Sequence, residues 1–165
     1  MAKESSFDVV STVDMQEVDN AFQQTARELT QRYDLKGTGA TIELSKADGI
    51  FTVFAPSEFT ASQVIDVLNG RLVKRQVDLK AVRWDDPQPA TGSSVRLIGH
   101  IVQGIDRDTA KKIAKDIRDQ KVKAKAVVEG DKLRVSSASK DVLQQVIAFL
   151  RDRDYGQPLQ FNNYR

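Results

Sequence analysis

Apolar residues recur along this chain at two spacings, every second position in short runs and every third or fourth in longer ones. The first spacing belongs to half-buried strands and the second to amphipathic helices. Ser6-Phe7-Asp8-Val9-Val10-Ser11 alternates and predicts a strand. Asp14 then stands as an N-cap before a helix running to about Tyr33, with Glu17 placed to complete a capping box. Val18, Ala21, Phe22, Leu29 and Tyr33 share one face of that helix, and Lys36-Gly37-Thr38-Gly39 ends it. Thr41 to Ser45 and Ile50 to Ala55 predict strands joined at Asp48-Gly49. Pro56-Ser57-Glu58 opens a second helix, with Ala61, Val64, Ile65, Leu68 and Leu72 inward, and Ala81 to Trp84 closes the set as a short strand.

The order then repeats. Asp85 to Ser93 holds two prolines and a glycine and reads as a boundary, dividing the chain into halves 1–92 and 93–165. Ser94 to Gln103 predicts a strand, and Asp106 caps a helix to about Gln120 with Ala110, Ile113, Ala114 and Ile117 inward. Val122 to Glu129 and Lys132 to Ser136 are strands joined by Gly130-Asp131. Ser139 caps a last helix with Leu143, Val146, Ile147 and Leu150 inward, and Leu159 to Asn163 forms a final strand. Both halves therefore read β-α-β-β-α-β, the split arrangement of ferredoxin-like domains. The expected class is α+β: two four-stranded antiparallel sheets, each with helices on one face and the other face free.

Alternation along the strands of the second half decides what that free face shows. Val122, Ala124, Ala126 and Val128 point toward the helices, which leaves Lys123, Lys125, Val127 and Glu129 outward. Beside them Leu133 and Val135 face inward, so Lys132, Arg134 and Ser136 face out. Arg96 and His100, in a strand apolar on both faces, are candidates to join them. Cations on adjacent strands repel unless an anion or a neighbouring carboxylate compensates them. A phosphate, nucleotide or RNA backbone would supply that anion; the competing reading is a solvated face kept charged for solubility.

Charge bears on this choice. Residues 1–92 hold 10 basic against 14 acidic side chains, a balance of −4, whereas residues 93–165 hold 15 against 9, a balance of +6. An anionic partner for the second half fits that asymmetry. Cysteine is absent, which excludes a disulfide framework, a thiolate zinc site and a cysteine nucleophile, and suits a reducing cytoplasm. His100 is the single histidine, without a second ligand at metal-binding spacing, and no serine sits in a Gly-x-Ser-x-Gly context. Neither a metal nor a catalytic residue is expected, and no membrane span or leader. Lys36-Gly37-Thr38-Gly39 lacks the Gly-Lys-Ser/Thr ending of a phosphate loop and reads first as a turn.

Short segments in order along the chain carry a resemblance. They are Ser6-Phe7-Asp8-Val9-Val10-Ser11, Arg32-Tyr33-Asp34-Leu35-Lys36-Gly37-Thr38, Gln103-Gly104-Ile105 with Lys111-Lys112-Ile113, Gly130-Asp131-Lys132-Leu133-Arg134-Val135, Lys140-Asp141-Val142-Leu143-Gln144, and the ending Gly156 to Arg165. Through them the chain resembles the YajQ family of bacterial nucleotide-binding proteins over essentially its whole length. The resemblance implies two ferredoxin-like domains that exchange N-terminal strands, so that Phe7 to Ser11 completes the second sheet and Val95 to Val102 the first. It also implies nucleotide or nucleic-acid binding without catalysis or cofactor. Some members are regarded as cyclic di-GMP effectors that act through partner proteins such as a transcription regulator. The matched positions Arg32, Lys36, Lys111, Lys112, Arg134, Gln157, Gln160 and Arg165 are further candidates, with Gln157-Pro158 also readable as a rigid turn. Leu35 stands where the family commonly has an aromatic.

Three readings are compatible with these features. They are a nucleotide-binding regulator, an RNA binder on the same face, and a protein-interaction adaptor with no nucleotide ligand.

Overall fold

The computed structural model describes residues 3–165. The chain divides into two compact units, one formed by residues up to Thr12 together with Gln103–Arg165, the other by Val13–Val102.

In the Val13–Val102 unit, Asp14 caps α1 (Met15–Leu29) by accepting from the backbone N–H groups of Gln16 and Glu17. The expected reciprocal box is absent: the Glu17 carboxylate takes Asn20 and Arg75 instead. α1 also ends a turn earlier than its apolar spacing suggests. Thr30 and Gln31 close it with bonds to the carbonyls of Arg27 and Glu28, so Tyr33 falls outside the helix and is 91% exposed rather than in the core. Leu35 takes the inward place instead, 2% exposed. β2 (Thr41–Ser45) and β3 (Ile50–Ala55) pair antiparallel, and Ser57 caps α2 (Glu58–Lys74). β4 (Val82–Trp84) follows. Within Asp85–Ser93 a two-residue strand, β5 (Gln88–Pro89), folds back onto β6 (Val95–Ile101). The sheet order is β2-β3-β6-β4, with β5 also on β6. β6 thus lies inside a sheet whose other strands all precede it.

That sheet shows how closely backbone and side chain approach here. Trp84 pairs with Gly99, and a Cβ at Gly99 would stand 2.8 Å from the indole ring. The ring also stacks on Phe51, centroids 6.1 Å apart. Glycine is the only residue that lets the ring lie against the strand.

In the other unit, Asp106 caps α3 (Arg107–Asp119) through the N–H of Thr109 at 2.7 Å, and that bond lowers the Asp106 pKa. β7 (Lys125–Glu129) and β8 (Lys132–Ser137) form a hairpin, and Ser139 caps α4 (Lys140–Arg151). β9 (Gln160–Asn162) comes last. β1 (Ser5–Val10) inserts between β8 and β9, antiparallel to both, to give the order β7-β8-β1-β9. The strand exchange is therefore present in both sheets. β7 begins later than the apolar alternation from Val122 suggests. The N–H of Ala124 turns back to the carbonyl of Val122 and Ser137 Oγ takes the carbonyl of Lys123, so the ladder starts at Lys125.

Each unit buries its own core. Phe7, Val9, Ile113, Ile117, Leu133, Val135 and Leu150 anchor one, and Val18, Phe51, Val53, Val64, Leu68 and Leu72 the other. Among the described residues no helix is long and apolar enough to cross a membrane.

Candidate functional site

Alternation places the two faces of the β7-β8-β1-β9 sheet as the sequence requires. Phe7 and Val9 of β1 and Leu133 and Val135 of β8 are fully buried on the helix side. Asp8 pairs in register with Arg134 on one side and Asn162 on the other, and Val127 pairs with Arg134 from beyond. The uncovered face is thus built by Asp8 of β1, Lys132 and Arg134 of β8, and Lys125, Val127 and Glu129 of β7.

Asp8 sits at the centre of this face, 2% exposed. Its Oδ2 accepts from Asn163 Nδ2 at 2.8 Å and Lys132 Nζ at 3.4 Å, and lies 3.8 Å from Arg165 Nη2. Its Oδ1 faces Arg134 Nε at 4.0 Å, and Arg134 reaches Glu129 through Nη1 at 3.7 Å. Burial pulls the Asp8 pKa upward, but the hydrogen bonds from Asn163 and Lys132 and the charges of Lys132 and Arg165 outweigh it, so the carboxyl stays below its ordinary value. It is ionised at neutral pH.

The carboxylate that cation repulsion called for therefore exists, and it arrives from the N-terminal strand. It does not neutralise the face. The side chains of Lys125, Lys132, Arg134 and Arg165 oppose those of Asp8 and Glu129, leaving an excess of two positive charges. The side chains of Lys132, Arg134 and Arg165 are 37%, 38% and 43% exposed while Asp8 lies beneath them. The cationic groups are therefore more exposed than the carboxylate beneath them.

Asp8 was the residue the cation pattern alone did not name. Its signal was local: a charged side chain between Phe7 and Val9 must stand on the face opposite the core.

The other candidates fall elsewhere. Lys123 is exposed but precedes β7, so ladder alternation does not fix its direction. Arg96 and His100 lie on the other unit's sheet, where Arg96 donates to Gln88 Oε1 at 2.8 Å and His100 Nε2 contacts Asp85 Oδ2 at 2.7 Å. Lys111 and Lys112 are on α3, with Lys112 5.8 Å above the Tyr155 ring. Arg32 is held by Asp34. Gln157 is 7% exposed and donates to the carbonyl of Gly104, whose own N–H reaches the carbonyl of Ser11. Gln160 binds the backbone N–H and hydroxyl of Thr12. Both glutamines therefore tie segments together within the unit.

Lys36 belongs to a second feature. An open pocket of about 610 Å³ is lined by Leu29 and Thr30 at the end of α1, by Lys36, Gly37 and Gly39, and by the start of β2. Gly37 and Gly39 have φ of 80° and 83°, which accounts for glycine at both places. The carbonyl end of α1 borders this pocket and opposes an anion there.

Among the described residues no group of three or more His, Asp or Glu is placed to hold a metal ion.

Comparison with known proteins agrees with the whole-chain pattern. The family model described as "Nucleotide-binding protein YajQ-like" matches residues 5–165. A nucleotide-binding protein of Desulfitobacterium hafniense is 47% identical over the full length of both chains. One from Nocardia farcinica is 49% identical over 98% of this chain and 99% of its own. Another, from Chloroherpeton thalassium, is 42% identical over the full length of both.

Proposed function

This chain belongs to the YajQ-like family of nucleotide-binding proteins, and on that premise we propose that it is a non-enzymatic regulator whose uncovered β7-β8-β1-β9 face holds the phosphates of a cyclic dinucleotide. The observation that carries this reading is the arrangement around Asp8: one buried carboxylate organises Lys132, Arg134 and Arg165, yet the face keeps surplus positive charge. Asp8 holds Lys132 by a hydrogen bond and draws Arg134 and Arg165 to within 4.0 Å by charge, so the three cations converge before a ligand arrives and less ordering is left to binding. Lys125 extends the row across β7.

Spacing favours a ligand with more than one phosphate. Lys125 lies on β7, Lys132 and Arg134 lie on β8 beside it, and Arg165 lies in the tail bonded to Ser6 of β1. Three interstrand steps separate the backbones of Lys125 and Arg165 by roughly 14 Å, further than one phosphate can bridge. The same span also suits single-stranded RNA. Phe7 and Phe161 pack into the core side, however, and the exposed Tyr164 ring lies beside Phe7, 6.2 Å between centroids, so none of these three rings is set among the cations for base stacking. Recognition here runs through phosphates.

Calorimetry with cyclic di-GMP and with a short single-stranded RNA tests the assignment. The double variant Lys125→Glu with Arg134→Glu should lose at least about tenfold in affinity, a factor worth ~1.4 kcal/mol. Unchanged affinity in a folded double variant places the site elsewhere. Binding to neither ligand by the parent protein favours an adaptor that docks an acidic protein partner, such as a transcription regulator, on the basic unit.

A further inference from the structure

β7 is an edge strand. It stands first in the order β7-β8-β1-β9, so among the described residues one side of its backbone has no partner strand. Natural edges are usually blunted by short length, proline, a bulge or charged side chains, lysine above all. β7 reads Lys125-Ala126-Val127-Val128-Glu129, has no proline, and pairs with β8 in unbroken register. Val127 and Val128, on opposite faces of the strand, are 40% and 42% exposed. Charge guards only the two ends of β7, at Lys125 and Glu129, and the adjacent exposed valines leave its middle open to another strand.

The charges at its two ends say which strand. Laid antiparallel against a copy of itself about Val127, the segment sets Lys125 opposite Glu129, Ala126 opposite Val128, and Val127 opposite Val127. Both charged pairs are of opposite sign and lie on the uncovered face. Centring on Ala126 or on Val128 instead sets a charge against a valine, and a one-residue slip turns each side chain to the wrong face. One register is self-complementary.

We propose that β7 pairs antiparallel with β7 of a second copy of this chain, across a twofold axis through Val127. The contact is isologous, each copy giving the other the same surface. It joins two four-stranded sheets into one continuous sheet. Each Glu129 then lies between Arg134 of its own chain, 3.7 Å away, and Lys125 of the second copy. A pairing this short buries far less than the ~1,000 Å² of a stable interface, so the dimer is weak and forms with rising concentration. This inference does not depend on which ligand the face binds.

Analytical ultracentrifugation of the full chain, without nucleotide, tests it. The average mass should rise with concentration toward twice that of the monomer. Lys125→Glu alone and Glu129→Lys alone each set like charges opposite one another, and each should weaken association at least about tenfold. Mixed in equal amounts, the two variants restore opposite charges at both positions and should associate as the parent does. Val127→Lys, at the axis, should stay monomeric, with circular dichroism confirming its fold; if it does not fold, the mixed pair decides. A parent monomeric at the highest concentration, single variants that associate normally, or a mixture no better than its components would each overturn the proposal.

Discussion

Asp8 and Lys132 are separated by 124 positions in the chain and meet at 3.4 Å on the uncovered face of one sheet. The contact depends on the insertion of β1 between β8 and β9. It makes the first strand of the chain the organiser of cations that lie in the basic second half.

Asp8→Asn should therefore destabilise the protein by about 2 kcal/mol at neutral pH, since removing one partner strands the cations it organised. Denaturant unfolding measures the loss. The same variant removes the group that holds the cations in place, so its affinity for a nucleotide should fall even though the charge of the face rises by one unit. A stability loss accompanied by tighter binding would show that Asp8 acts on the ligand through its charge and not by positioning the cations.

The pH dependence has a definite sign. The folded Asp8 carboxyl titrates below the ordinary value of 3.8. The stability it contributes is complete above the unfolded-state pKa and is lost as pH falls through the lower, folded value. Parent and Asp8→Asn should thus differ in unfolding free energy at pH 7 and converge as pH drops below about 4. A gap that persists in strong acid would assign the effect to packing.

Arg96→Gln and His100→Gln should leave nucleotide affinity unchanged, because both residues belong to the other sheet and contact Gln88 and Asp85. A clear loss in calorimetry would move the site to that sheet.

Division of the chain at Gly92 should abolish independent folding. The fragment 1–92 lacks β6, the strand on which β3, β4 and β5 all pair, and 93–165 lacks β1, which separates β8 from β9. A fragment of residues 13–102 keeps every strand of its sheet and should melt cooperatively. Thermal melts by circular dichroism compare the three.

Gly99→Ala should cost about 1–3 kcal/mol by overpacking, because its new methyl would sit 2.8 Å from the Trp84 ring. Trp84 is the single tryptophan of the chain, so its fluorescence should shift together with the melting temperature.

The sequence by itself determined the elements and the faces. Period-two runs and capped apolar stripes marked all four helices and most strands, because local spacing alone decides which side chains a helix or strand can bury. The same alternation put Lys125, Lys132 and Arg134 on one face before any contact was known. Ends of elements were less legible. Tyr33 continued a helical stripe, yet Thr30 and Gln31 had closed the helix with turn bonds, and the turn at Val122 to Ala124 removed Lys123 from its strand. Only the tertiary structure brought Asp8, Asn163 and Arg165 to the cations of β8. Alternation fixes the side of a sheet on which a residue stands. Which strand stands beside it depends on long-range pairing, and a strand's own residues carry almost none of that information.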